Sequence, residues 1–146
     1  MCWYTYLKPE KEIAQEDINV YKILYKKNNK YFSYVREFCY EKGKTYNIDE
    51  LKMELIDERL IGNTINKIPT INEGFHSYDG NCCLFFHPTE RYIEIRDDDE
   101  GEIIDYYPIM DKKSIFRGTF IIPKGSEYYK NEHGVIVSKQ IIFLEA

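Results

Sequence analysis

Apolar positions recur mostly in short runs with a period of two, the repeat of a strand with one buried face. The stretch 17–26 departs from that alternation. Ile18, Val20 and Leu24 share one face with Lys22, while Tyr21, Ile23 and Tyr25 share the other with Asn19. Both faces are apolar, so this strand is expected at the centre of a sheet, covered on two sides. Lys27-Asn28-Asn29-Lys30 reads as the polar turn that follows it. Residues 31–41 are aromatic and rich in strand formers, and Gly43 then punctuates the chain. Further strands are expected over 73–78, 91–95, 102–107, 114–122, 128–129, 135–137 and 140–144. Asp97-Asp98-Asp99-Glu100-Gly101 and Asn131-Glu132-His133-Gly134 are the turns of two hairpins.

One segment breaks the pattern. Over 47–62, Asn47 can cap a helix and Glu50 can reach back to it, as in a capping box. Ile48, Leu51 and Leu55 fall on one helical face, and Gly62 stands where a left-handed stop is wanted. Residues 63–72, with Pro69, read as a polar connection. The expected fold is therefore α+β: a strand-dominated, twisted antiparallel sheet or small barrel with one principal helix.

At 146 residues the chain is expected to form a single domain, 1–146. A chain of this size buries roughly 70% of its unfolded surface and needs no disulfide or metal staple. The apolar run Cys82 to Phe86 is far too short to cross a bilayer, so no membrane association is expected. The start, 1–11, lacks a basic segment leading into an apolar one. A cytoplasmic setting is expected, in which Cys2, Cys39, Cys82 and Cys83 stay reduced. A net charge of −5, from 25 acidic and 20 basic residues, argues against general nucleic-acid binding.

Composition changes the picture in one respect: 14 residues are Tyr. Codon bias toward Ile, Lys, Asn, Tyr and Phe accounts for such a surplus. So does an aromatic binding surface, because Tyr joins a large contact area to a polar tip. The segment Asn72-Glu73-Gly74-Phe75-His76-Ser77-Tyr78 holds the best candidate chemistry. Gly74 permits a sharp turn or a close approach. Strand alternation then puts His76 and Tyr78 on one face, with Phe75 and Ser77 on the other. An imidazole at neutral pH serves as acid, base or anion donor, or as a half-buried structural hydrogen-bonding group. Tyr21 joins this face if its central strand runs alongside.

Cys2 is a second candidate. If Met1 is removed, a free amine lies beside the thiol and the pair can attack carbonyls; otherwise Cys2 is a small buried anchor. Residues 97–102 faintly echo a calcium loop but lack its spacing and its distal bidentate Glu. The three histidines are too scattered for a metal site, so neither metal nor cofactor is expected. Phosphate-binding, dinucleotide and hydrolase-elbow motifs are absent from the sequence.

The blocks Met1-Cys2, Ile13-Ala14, Asp17-Ile18-Asn19-Val20-Tyr21-Lys22-Ile23-Leu24, Gly43-Lys44-Thr45-Tyr46, Gly74-Phe75-His76-Ser77-Tyr78 and Ile122-Pro123-Lys124-Gly125 span most of the chain. Together they resemble small uncharacterised proteins of Bacteroidetes and their phages, relative to which 90–111 looks like an inserted hairpin. The resemblance implies a bacterial or phage cytoplasmic origin and carries no activity. The expected function is a binding or interaction protein that uses an aromatic groove including His76, Tyr78 and Tyr21. Its partner would be another protein or a small anionic ligand. The alternatives are a transferase or hydrolase on a nucleotide-like ligand with His76 as acid or base, and thiol chemistry at Cys2. A deep pocket joining His76 to a second polar group favours an enzyme; a flat apolar patch favours a partner.

Overall fold

In the computed structural model, residues 3–33, 38–59, 65–87, 92–97, 103–108 and 114–146 are described. Every regular element among them is a strand, which corrects the α+β expectation: there is no helix among the described residues. The strands are β1 (Trp3–Tyr4), β2 (Glu12–Ile13), β3 (Ile18–Lys27), β4 (Lys30–Ser33), β5 (Cys39–Tyr40), β6 (Thr45–Asn47), β7 (Glu54–Arg59) and β8 (Ile65–Ile71). There follow β9 (Phe75–Asp79), β10 (Cys83–His87), β11 (Tyr92–Arg96), β12 (Ile103–Pro108), β13 (Ser114–Ile122), β14 (Glu127–Lys130), β15 (Val135–Ser138) and β16 (Gln140–Glu145).

The segment expected to be helical is divided between three environments. Asn47 ends β6 opposite Gln140, and the Ile48 N–H donates to the Lys139 carbonyl at 3.0 Å. Ile48 and Leu51 then anchor an irregular stretch to the core. Leu55 and Ile56 lie exposed in β7, which pairs along its length with β8. The helical spacing was real, but it is a weak preference, and a strand partner overrides it. Gly62, the expected helix stop, lies outside the described residues.

The polar connection expected at 63–72 is instead β8, with Pro69 inside it. The Pro69 carbonyl accepts from the Thr5 N–H at 3.2 Å, just past the end of β1. In an antiparallel strand the N and O of one residue point the same way. The N–H that proline lacks would therefore face β1, and the ladder to β7 loses nothing.

Among the described residues the strands form two three-stranded sheets, β1-β8-β7 and β10-β11-β12, and a ten-stranded one. The large sheet runs β2-β14-β15-β9-β3-β13-β16-β6, with β4 and β5 added beside β3. Its centre is β3, as the two-faced pattern requires. This strand pairs with β13 along Ile18–Lys26 on one side, and with β9 and then β4 on the other. Asn28 and Asn29 close the β3–β4 hairpin with φ of 52° and 62°, the left-handed values a tight two-residue turn needs.

The large sheet curls until β5 and β6, from its two sides, put the Tyr40 and Tyr46 rings 5.2 Å apart, edge to face. The Gly43 N–H links their turn to the Phe143 carbonyl at 2.6 Å. Val20 and Leu24 of β3 thereby face an inner core with Phe120, Ile122, Ile141 and Phe143. Tyr21 and Ile23, on the opposite face, form an outer core with Trp3, Ile71, Ile93 and Ile95 from the two smaller sheets.

Candidate functional site

The site grows from the join between β9 and the curled edge of the large sheet. A cavity of about 470 Å³ opens there, walled by Phe38, Tyr40, Tyr46 and Phe75 together with Lys22 and His76. Its aromatic wall is cross-braced. The Phe38 ring lies 4.9 Å from Tyr40, 5.3 Å from Tyr46 and 6.1 Å from Phe75. The Tyr46 hydroxyl accepts the Glu41 N–H at 2.7 Å, which fixes that ring. Phe38 is nonetheless 43% exposed, an apolar ring left at the edge of an apolar cavity.

Gly74 reaches the cavity with φ of 148°, a backbone conformation that favours glycine. It admits the turn just before His76, and strand alternation then aims His76 and Tyr78 to one side of β9. Antiparallel pairing sets Tyr21 directly opposite Tyr78, with ring centroids 5.4 Å apart. The three expected ligand-binding residues are thus neighbours, but they do not share one open surface. His76 and Tyr78 line the cavity, whereas Tyr21 is buried in the outer core behind it.

Each of the three has a structural partner. The His76 Nε2 accepts the Trp3 N–H at 3.0 Å. That nitrogen therefore carries a lone pair, and the ring proton of the neutral imidazole sits on Nδ1. Trp3 is held at its other polar groups too: its indole N–H donates to the Val135 carbonyl at 2.8 Å, and its carbonyl accepts from the Thr70 hydroxyl at 2.7 Å. The Tyr21 hydroxyl donates to the Cys82 carbonyl at 2.9 Å, and the Arg117 guanidinium stacks 4.0 Å from its ring centroid.

The Tyr78 hydroxyl belongs to a buried network. It donates to Asp105 Oδ2 at 2.7 Å and is hydrogen-bonded to the Tyr107 hydroxyl, which lies 3.2 Å from the same carboxylate oxygen. Burial, followed by the nearby Tyr107 and Asp105, pushes the Tyr78 hydroxyl well above the usual phenol range. Burial also raises the Asp105 carboxyl, although the Tyr78 and Tyr107 hydroxyls pull against it. These phenols are proton-holding structural groups at neutral pH rather than nucleophiles.

Cys2 lies outside the described residues, as do Asp98 to Gly101 of the acidic turn. Among the described residues, no group of three His, Cys, Asp or Glu side chains gathers where it could hold a metal ion. Nor is any helix there long and apolar enough to cross a membrane.

Sequence reasoning placed the 72–78 segment but missed Lys22, Phe38, Tyr40, Tyr46 and Tyr107 as cavity residues. For Lys22 a signal existed: it is a charge set between Val20 and Leu24 on a strand that has to be central. The aromatic residues carry no such mark, because in sequence they resemble any strand former. Comparison with protein-family models, with curated proteins and with solved structures finds no match to this chain.

Proposed function

We propose that this chain is a small-molecule-binding module whose ligand is flat and largely apolar, held against the Phe38, Tyr40, Tyr46 and Phe75 rings. The observation that carries the reading is the braced aromatic wall with Phe38 exposed at its edge. Rings fixed by one another lose little freedom when a ligand arrives, which is the physical content of a preorganised site. The cavity volume of about 470 Å³ falls in the range that small ligands occupy. His76 contributes to the wall and also orders the N-terminal strand through Trp3. We place the protein in the cytoplasm, where thiols such as Cys39 and Cys82 persist reduced.

The test uses N-phenyl-1-naphthylamine, an uncharged fluorophore that brightens in apolar surroundings. Titration should saturate at one probe per chain. Phe38→Ala should weaken the probe at least about fivefold, by loss of buried apolar contact. Leu55→Ala, at a 64% exposed β7 position that does not line the cavity, should change nothing. No saturable binding, or equal binding by the wild type and Phe38→Ala, would dismiss the reading.

A further inference from the structure

Lys22 is a charge that the apolar pattern of its own strand does not explain. It lies midway along the central strand β3, in one file with Val20 and Leu24, both fully buried in the inner core. A charge in such a file opposes the binary pattern of the strand, and desolvating an ammonium costs free energy that an apolar residue would not. Local rules are broken in this way mostly where function requires it. Two features accommodate the side chain. Its cross-strand neighbour on β13 is Gly118, which sets no side chain opposite it. Its ammonium donates to the His76 carbonyl and lies 5.8 Å from the centroid of the Tyr40 ring. It is half-buried and forms part of the cavity wall.

We infer that Lys22 makes the aromatic cavity selective for planar aromatic acids, with the rings holding the flat body and the ammonium facing the acid group. This inference rests on the proposed binding role of the cavity and adds the ligand's charge to it. The His76 Nε2 is committed as an acceptor to Trp3, and among the described residues that line the cavity Lys22 is the one Lys or Arg. Glu73 also lines the cavity, but as an exposed group at its margin, where water screens its repulsion of an anion. A charge-assisted contact to a partly buried ammonium is strong enough to dominate the choice between a neutral and an anionic ligand of one shape.

The experiment compares N-phenyl-1-naphthylamine with 1-anilinonaphthalene-8-sulfonate, the same ring system bearing a sulfonate. In the wild type, raising NaCl from 20 to 500 mM should weaken the sulfonate and leave the neutral probe unchanged or tighter. Lys22→Met should lower the ratio of sulfonate to neutral affinity by roughly tenfold, and Lys22→Arg should restore most of it. Glu73→Gln should favour the sulfonate by about twofold. An unchanged ratio in folded Lys22→Met overturns the inference while the aromatic-cavity reading stands. If Lys22→Met fails to fold, the salt response of the wild type decides, and equal responses by the two probes overturn the inference. Absence of neutral-probe binding in the wild type removes the cavity reading, and this inference falls with it.

Discussion

Replacing Gly74 with Ala tests the geometry on which the cavity depends. Two independent costs meet at this position. Its φ of 148° is one that side chains rarely adopt, which costs on the order of 1–3 kcal/mol. An added Cβ would also stand 2.5 Å from Val137 Cγ2 and 2.9 Å from Leu51 Cδ2, contacts that force the core to move. Overpacking of that kind costs typically about 1–3 kcal/mol. The expected loss is therefore about 3–5 kcal/mol, or on the order of 10 °C in melting temperature for a chain of this length. Gly43 supplies the control. It has φ of 78° and nothing within 4 Å of its would-be Cβ, so Gly43→Ala carries backbone strain alone. Its cost should be about 1 kcal/mol, after the gain from a stiffer unfolded chain. Urea denaturation of the wild type and both variants measures the difference. Equal destabilisation by the two substitutions would refute the close approach of Gly74 to Val137 and Leu51, and with it the shape of the cavity.

Three further outcomes follow from His76 and the two described free thiols. His76→Ala leaves the Trp3 N–H without its acceptor and should cost about 1–3 kcal/mol, with His76→Gln recovering part of it; a urea midpoint matching the wild type would show that the bond contributes nothing. Burial, aided by the charge of Asp79, pushes the Cys82 thiol up to about 11, so Cys39 should be alkylated well before Cys82 at pH 8, as read by peptide mass mapping. Because the folded thiol titrates above the unfolded one, its contribution to stability is complete below about pH 8.5 and is lost as pH rises toward 11. Cys82→Ala should flatten that part of the stability profile, and equal alkylation rates at the two thiols would contradict the burial of Cys82.

Much of the strand pattern was determined by sequence alone, because alternation is local. The two apolar faces of Ile18–Lys27 sufficed to place that strand at the centre, and the hairpins β11–β12 and β14–β15 follow from polar turns between apolar runs. Gly74, His76 and Tyr78 were likewise marked by their own segment, with Gly74 freeing the backbone and alternation aligning the other two. Tertiary structure decided the rest, because the rest depends on partners far along the chain. Ile48 and Leu51 match a helix as well as a packed loop; pairing of β6 with β16 and of β7 with β8 made the choice. Tyr21 and Tyr78 look in sequence like two phenols free to meet a ligand. Cys82, in the turn before β10, and Asp105 and Tyr107 of β12 take their hydroxyls instead. The cavity itself exists only because the large sheet curls, bringing Phe38, Tyr40 and Tyr46 against Phe75 and setting Lys22 beside them. Curvature is a property of the assembled sheet, and no single stretch of this sequence encodes it.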